Sequence, residues 1–201
     1  MDLSAMFNIG YGLYVASTEF EGKDNACIVN TVMQLTSSEP CKIGVAINKK
    51  NYTAELLQKS KRLNISILTQ DAPFELYKQF GFQSGRSVDK FDGISGIERA
   101  NNGVLYLKEN VNSLICVYVQ QEIDLGSHIL FIGAVTDATV LSKSPSVTYS
   151  YYHQHIKPKP QKTEKHGWRC TICGYVYESE ELPPDFICPW CKHGVADFEK
   201  I

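Results

Sequence analysis

Apolar and polar positions alternate over short segments along the first 140 residues, and polar turns separate these segments. β-Branched and aromatic residues are concentrated in seven of them, which predict strands at residues 13–17, 26–36, 42–47, 63–68, 104–107, 114–123 and 128–140. Helical spacing of apolar residues predicts two helices, at residues 53–60 and 73–80, with Pro73 in the first turn of the second helix and Gly81 as its stop. The pattern therefore predicts a mainly β fold, with seven strands closing a barrel and a few helices.

The pattern is interrupted at residues 157–165, which contain no apolar residue able to join a core and two prolines that favour an extended, solvated backbone. A chain of 201 residues is long enough for one ordinary domain and a small module. We therefore predict a domain over residues 1–156, a linker over residues 157–166 and a second domain over residues 167–201.

Composition and charge indicate a globular protein and argue against nucleic-acid-binding and membrane proteins. Apolar residues make up 43% of the chain and charged residues 21%, which is typical of a soluble globular protein. Twenty basic and 22 acidic side chains give a net charge of −2 without a long basic stripe, so no nucleic-acid partner is expected. The apolar run at residues 114–119 is far shorter than the ~18 residues of a membrane span, and no basic residue precedes Lys23. These features predict a soluble cytoplasmic protein with no membrane partner.

The chain has seven cysteines. Three of them, Cys27, Cys41 and Cys116, stand singly in apolar stretches and are expected to pack in the core. The other four form two C-x-x-C pairs, Cys170 with Cys173 and Cys188 with Cys191. Four thiolates at this spacing form a tetrahedral metal site, which indicates a reducing compartment rather than a disulfide framework. The spacing is compatible with iron and with a structural zinc ribbon.

The residues around these pairs are CTICGYVY at 170–177, PPDF at 183–186 and CPWC at 188–191. This segment resembles a rubredoxin, in the short-loop form found at the end of rubrerythrins. The resemblance implies one iron held by Cys170, Cys173, Cys188 and Cys191. The family usually places glycine after each pair; Gly174 fits this pattern, whereas Lys192 departs from it, which affects the geometry of the second knuckle and the iron potential.

Residues 48–53, NKKNYT, directly follow an apolar strand and begin the first helix. Side-chain amides, ammonium groups and a helix N-terminus therefore converge where a phosphate group would bind. The alternative is an ordinary polar connection.

Together with this turn, residues 25–40, NACIVNTVMQLTSSEP, resemble the flavin reductase family over about residues 5–155. The resemblance implies an FMN-binding split barrel. It places two sets of candidate FMN-binding residues: Asn30, Thr31, Val32 and Gln34 at the isoalloxazine ring, and Asn48, Lys49, Lys50 and Thr53 at the ribityl phosphate.

The loop at residues 80–91, FGFQSGRSVDKF, resembles the S-G-x-x-x-D-K-F loop of the same family, which borders the flavin. Ser84, Gly85 and Lys90 are the cofactor-binding candidates that this resemblance gives, and a glycine-rich surface loop is the alternative. His128 matches the histidine of a family G-D-H motif near the nicotinamide, with Ser127 in place of the aspartate. His128 is accordingly the catalytic candidate, and a surface or capping histidine is the alternative.

A flavin barrel joined to a one-iron module resembles the proteins called high-molecular-weight rubredoxins. The resemblance implies an NAD(P)H-dependent oxidoreductase that passes electrons through FMN to an Fe(Cys)4 centre and on to a protein acceptor, for which a flavodiiron protein is one candidate. A flavin takes up two electrons together and releases them singly, which suits this combination. The family also implies a homodimer.

Two other functions remain open. The first is a flavin reductase that releases free reduced flavin and carries a structural zinc ribbon. The second is not an enzyme but an electron carrier reduced by another protein, or a binding protein with a zinc ribbon. No G-x-G-x-x-G fingerprint is present, so NADH and NADPH are both open as co-substrates.

Overall fold

The computed structural model describes residues 3–158, 166–172, 174–189 and 193–201. A 3-10 turn at Leu3–Asn8 precedes the first strand. The strands in residues 3–158 are β1 (Tyr14–Phe20), β2 (Lys23–Val29), β3 (Val32–Gln34), β4 (Lys42–Asn48), β5 (Arg62–Leu68), β6 (Ile97–Arg99), β7 (Leu105–Leu107), β8 (Val111–Asp124) and β9 (His128–Val140). The helices are α1 (Tyr52–Ser60), α2 (Phe74–Gly81) and α3 (Tyr149–Tyr151), which continues as a π-helical turn over Tyr152–Ile156.

Seven of these strands form one antiparallel sheet in the order β2-β1-β5-β8-β9-β4-β3. The sheet curls into a half-barrel, while β6 and β7 form a separate two-stranded ribbon. The mainly β, split-barrel fold class is confirmed. The expectation of a closed barrel is corrected, because β2 and β3 end the strand order and are not paired with each other.

One predicted strand is divided in the structure. Residues 26–36 were expected to form a single strand, but they contribute to β2 and β3, which lie at opposite ends of the sheet. The division falls at Asn30 and Thr31, where β2 has finished its pairing with β1 and the chain crosses to pair with β4. Alternating apolar residues on both sides of this point conceal the change of partner, since both segments have strand periodicity.

Two packed clusters make up the core of the barrel. The first fills the curled sheet and includes Ile47, Leu57 and Phe131, and the second lies beneath α2 and includes Tyr77 and Phe80. The core prediction for the single cysteines holds for Cys27 and Cys116, which are buried. Cys41 is only half-buried, and its thiol donates to the carbonyl oxygen of Thr36 at 2.8 Å.

In the described residues after 165, three short strands form a second sheet in the order β11-β10-β12. They are β10 (Trp168–Cys170), β11 (Val176–Tyr177) and β12 (Phe198–Lys200). Phe186 packs against the rings of Tyr177 and Phe198, with ring centroids 4.4 and 5.4 Å apart. A module this small depends on such aromatic packing around a metal site. Among the described residues, no helix is long and apolar enough to cross a membrane.

Candidate functional site

The turn after β4 forms the candidate phosphate site. The side-chain oxygen of Asn48 accepts a hydrogen bond from the Lys50 amide at 2.9 Å, and the Asn51 amide donates to the Asn48 carbonyl at 2.9 Å. Helix α1 then begins at Tyr52, and the Asn51 side chain makes no capping hydrogen bond. The first turn of α1 therefore has no side-chain acceptor at its N-cap, which is the arrangement that suits an anion.

The two lysines of this turn have different surroundings. The Lys49 ammonium group lies 2.5 and 2.6 Å from the two carboxylate oxygens of Asp124. The hydrogen bond from Lys49 and a second one from the Gly126 amide lower the pKa of Asp124. Lys50 is exposed and forms no ion pair among the described residues. Lys50 is thus the cation of the turn that is open to a ligand.

The structure places His128 next to the same turn. His128 is directly opposite Asn48 in the pairing of β4 with β9, and the Lys49 amide donates to the Ser127 carbonyl at 3.1 Å. The Ser127 hydroxyl lies 2.9 Å from Nδ1 of His128. The catalytic candidate is therefore half-buried, has a side-chain partner at one ring nitrogen, and lies beside the candidate phosphate turn.

The candidate ring-binding segment runs along β4. The Thr31 carbonyl accepts from the Ala46 amide at 3.1 Å, and the Thr31 hydroxyl donates to the Asn30 side chain at 3.1 Å. Val32 starts β3 opposite Val45 of β4. The Gln34 side chain is exposed and donates to the Thr36 carbonyl at 3.0 Å. The segment thus follows β4 toward the turn at Asn48.

Thr53 lies in the interior, and its connection to the turn is indirect. It is 1% exposed, and its hydroxyl accepts a hydrogen bond from the Asn25 side chain at 3.0 Å. The carbonyl oxygen of that Asn25 side chain is buried and makes no hydrogen bond in the described part of the chain. Gly85 passes so close that a Cβ atom on it would lie 2.0 Å from this oxygen. Asn25 therefore joins the start of α1 to the loop that contains Ser84 and Gly85.

Lys90 supports this loop from within. Its side chain is 4% exposed, and its ammonium group donates to the carbonyl oxygens of Ala26 and Phe80, both at 2.9 Å. Burial lowers the pKa of Lys90 and raises that of the neighbouring Cys27 thiol. These bonds attach the end of the loop at residues 80–91, here called the flavin loop after the family motif that it resembles, to β2 and to α2. Lys90 is thus placed to shape this loop, and its predicted contact with the flavin stays a prediction.

Sequence reasoning missed Arg86, which lies in the same loop. Its guanidinium group is 4.5 Å from the ring centroid of Tyr52 and 2.5 Å from a carboxylate oxygen of Glu55. The ion pair lowers the pKa of Glu55. Arg86 therefore connects the flavin loop to the first turn of α1. The one feature of the sequence that could have indicated a role for Arg86 is its position between Gly85 and Asp89, in the loop that resembles the family motif.

The described part of the candidate metal centre contains Cys170 and Cys188. Both are fully buried, and they form one cluster with the partly buried rings of Phe82, Tyr175 and Phe198. Cys173, Cys191 and Lys192 lie outside the described residues. Two buried thiols, one from each C-x-x-C pair, in an aromatic surrounding fit the thiolate donor set of iron or zinc.

Gly174 has the backbone conformation expected for the first knuckle. Its φ angle is +80°, and its amide donates to the Cys170 carbonyl at 2.8 Å. Glycine adopts this conformation without a steric penalty. In the second knuckle, the Cys188 amide donates to the His193 carbonyl at 2.8 Å.

Comparison with known families agrees with this geometry. Residues 6–159 match the flavin reductase like domain, and residues 168–199 match the rubredoxin-like domain of rubrerythrin. The chain belongs to the flavin reductase-like family. This flavin reductase-like protein is therefore an oxidoreductase of a flavin-binding fold with a rubredoxin-like domain at its C-terminus.

Two relatives and one solved structure illustrate the family. The flavin reductase-like chain is 36% identical to the high molecular weight rubredoxin of Moorella thermoacetica, over 100% of both chains. It is 36% identical to the ferric-chelate reductase (NAD(P)H) of Archaeoglobus fulgidus, over 81% of this chain and 95% of the relative. A crystal structure of an FMN-binding protein from Thermus thermophilus superposes with a TM-score of 0.59 at 26% identity, covering 66% of this chain and 73% of that one.

Proposed function

We propose that this protein oxidises NAD(P)H and delivers the electrons, through FMN and an Fe(Cys)4 centre, to a protein acceptor. The observation that carries the proposal is that Cys170 and Cys188 form a cluster with Phe82, two residues before the candidate flavin residue Ser84. Oxidation of one NAD(P)H releases two electrons and one proton. Because the metal centre carries one electron at a time, it must deliver an electron to the acceptor twice for each NAD(P)H. A full-length relative named high molecular weight rubredoxin supports this reading.

We assign the binding roles as follows. Asn30, Thr31, Val32 and Gln34 bind the flavin ring, and the turn of Asn48, Lys49 and Lys50 binds the phosphate together with the start of α1. Thr53 acts from the interior by holding Asn25 against the loop of Ser84 and Gly85, and Lys90 fixes the end of that loop. His128 orients the nicotinamide or exchanges a proton. Cys170, Cys173, Cys188 and Cys191 bind the metal.

The proposal is tested by the visible spectrum of the purified full-length protein during anaerobic titration with NADH and, separately, NADPH. We expect flavin bands and ferric-thiolate bands before the titration, and both should bleach with one of the two nucleotides. A protein that contains zinc, or whose ferric bands persist after the flavin has bleached, would contradict the relay.

A second candidate function is reduction of small acceptors by the barrel alone. The ferric-chelate reductase relative supports it, because its match spans 81% of this chain and nearly all of its own length. In this case ferric chelates or free flavin would be reduced equally fast with or without residues 167–201.

We also propose a homodimer and a cytoplasmic location. Exposed apolar side chains lie on β3 and just after it, at Met33 (43% exposed) and Leu35 (41%), and on β8 at Tyr118 (51%). β3 is an edge strand of the sheet, and pairing with a second copy would cover such a strand. Light scattering of the FMN-bound protein tests this, and a monomer would contradict it. Free thiols in the described residues favour a reducing compartment.

The domain boundaries and the acceptor are part of the same proposal. We place the flavin domain at residues 1–156, the linker at 157–166 and the metal domain at 167–201. For the acceptor we propose a flavodiiron protein, the candidate that the resemblance to high-molecular-weight rubredoxins implies. Steady-state assays with a purified flavodiiron protein test the assignment.

A further inference from the structure

The aromatic cover of the two described cysteines comes from both domains. Cys170 and Cys188 pack against Tyr175 and Phe198 of the metal domain and against Phe82 of the barrel. Phe82 is the residue that follows α2, and its amide donates to the Lys78 carbonyl at 3.0 Å. Of the three rings that the described residues place against the buried thiols, one is therefore positioned by a helix of the flavin domain.

Phe82 is held by further aromatic residues of the barrel. Its ring makes an edge-to-face contact with Phe74 at the start of α2, with centroids 6.0 Å apart. Phe74 in turn stacks against Tyr152, with centroids 6.5 Å apart, and Tyr152 packs on Tyr77 at 4.6 Å. Such pairs restrict the orientation of the rings. Phe82 is thus a fixed feature of the barrel surface.

A second contact lies beside the first. The Lys157 ammonium group donates to the carbonyl oxygen of Ile172, within the first C-x-x-C knuckle. A groove between the domains is lined on one side by His153, Lys157 and Pro158 and on the other by residues around Cys170, including Thr171 and Gly174. The turn that contains Cys170 therefore faces residues 153–158, at the C-terminal end of the flavin domain.

Phe82, which contacts the metal domain, is close in the sequence to candidate flavin-binding residues. Ser84 and Gly85 follow within three residues, and Gly85 lies against Asn25 of the flavin domain. The segment that contacts the metal domain at Phe82 therefore leads directly into the candidate flavin site, while Phe82 itself is not one of the candidate flavin-binding residues.

We propose that Phe82 is the docking residue of the barrel, a positioning residue that seats the metal domain with its cysteine cluster against the flavin loop. The role in electron delivery rests on the proposed function, whereas the docking itself does not. A tethered domain that docks at one site keeps a high effective concentration there. Without the Phe82 contact the metal domain would stay tethered but lose this orientation.

The test uses the full-length protein with FMN and iron bound, as wild type and as the variants Phe82→Ser, Phe82→Leu and Val140→Ser. The last replaces an apolar residue that is 77% exposed on β9 and serves as the matched control. Hydrogen exchange of the amides in residues 166–172 reports docking. Anaerobic stopped-flow mixing with NAD(P)H, followed at flavin and iron wavelengths, reports delivery.

We expect Phe82→Ser to raise exchange in residues 166–172 and to slow iron reduction about tenfold or more, with flavin reduction within about twofold of wild type. Phe82→Leu should keep most of the exchange protection and most of the rate of iron reduction, because it retains an apolar contact. Val140→Ser should match wild type in both measurements. The iron potential should also rise in Phe82→Ser, since solvent favours the ferrous site, which carries the larger negative charge.

Unchanged exchange together with unchanged iron reduction in Phe82→Ser would overturn the proposal. Should Phe82→Ser fail to fold, Lys157→Met removes the neighbouring contact outside the flavin loop and should raise exchange in the same segment; no change there would also overturn it. If wild-type iron is not reduced by NAD(P)H at all, the proposed relay fails, and the exchange data alone still decide the docking.

Discussion

Lys49 forms an ion pair with Asp124, with the ammonium nitrogen 2.5 Å from a carboxylate oxygen at the end of β8. This ion pair makes the two lysines of the turn different, although they look equivalent in the sequence. The charge of Lys49 is already balanced, whereas Lys50 is exposed beside the start of α1. Phosphate recognition is therefore expected to depend more on Lys50 than on Lys49.

The first prediction concerns the phosphate. Replacing Lys49 and Lys50 together with alanine should weaken FMN far more than riboflavin, because charge-assisted hydrogen bonds of about 1.5–3 kcal/mol act only on the phosphate. Of the single variants, Lys50→Ala should cause most of the loss. Dissociation constants from flavin fluorescence titration of the apoprotein measure both ligands.

Asp124→Asn is the matched variant for this prediction. It releases Lys49 from its partner and should strengthen FMN binding without strengthening riboflavin binding. Equal weakening of FMN and riboflavin in the double variant would move the phosphate site away from this turn.

The second prediction concerns His128. His128→Asn should lower the rate of flavin reduction by NAD(P)H by about tenfold or more, while FMN binding changes little. Ser127→Asp, which supplies a charged partner within reach of Nδ1, should fix the ring tautomer and raise the rate. Anaerobic stopped-flow measurements provide the rates, and Ser127→Ala is the control. Loss of FMN without loss of rate in the FMN-saturated His128→Asn protein would assign His128 to the phosphate turn instead.

The sequence predicted the fold class because strand periodicity survives in each segment, whatever its partner. It failed at Asn30 and Thr31, where one apparent strand changes partner, since periodicity carries no information on pairing. It also missed β6 and α3, which are short, and the latter lies among polar residues.

Within the candidate site, the sequence predicted a polar turn after Asn48 and a glycine-containing loop at Ser84, and both segments lie outside the helices and strands that flank them. It could not show that Thr53 and Lys90 point into the interior. Burial of a polar side chain depends on partners far away in the chain, here Asn25 and the carbonyls of Ala26 and Phe80. Arg86 and Phe82 were missed because the residues that they contact, Glu55 for Arg86 and the two buried cysteines for Phe82, also lie far away in the chain.

The third prediction concerns the metal domain. Cys170→Ser or Cys188→Ser should abolish the ferric-thiolate bands and unfold residues 168–201, because so small a core depends on its metal. FMN should remain bound, since the two packed clusters of the barrel contain only residues from the flavin domain. Visible spectra and circular dichroism measure both effects. Cys41→Ser, which alters a half-buried thiol of the barrel, is the control and should keep its iron. Release of FMN from either metal-domain variant would show that the domains fold together.

The fourth prediction concerns alkaline pH. Burial and, secondarily, the neighbouring Asp137 carboxylate raise the pKa of Cys116 from 9.0 to about 11. The folded state keeps its proton while the unfolded chain loses it, so this contribution to stability is complete below pH 9 and is lost as the pH rises toward 11. Cys116→Val should therefore reduce the fall in the urea midpoint between pH 8 and pH 10.5. Asp137→Asn should reduce it less, because it removes only the lesser cause. A pH dependence identical to wild type in Cys116→Val would contradict the assignment.

The last prediction separates the two domains functionally. A chain ending at Lys157 retains both core clusters of the barrel, including Tyr152 and Ile156 beneath α2, so it should fold and bind FMN. It should oxidise NAD(P)H with an artificial dye as fast as the full-length protein, because hydride transfer needs only the flavin domain. It should lose reduction of the protein acceptor, since single electrons leave through the metal domain.

The charge of the removed segment adds a second measurement to the same experiment. Within the removed segment, residues 161–201 contain seven acidic and five basic side chains, so they favour a basic docking patch on the acceptor. The full-length rate with the acceptor should fall as salt rises, through screening, while the dye rate stays constant. The shortened chain could instead reduce the acceptor as fast as the full-length protein at every salt concentration. In that case the metal domain takes no part in electron delivery, and the flavin domain reduces the acceptor directly.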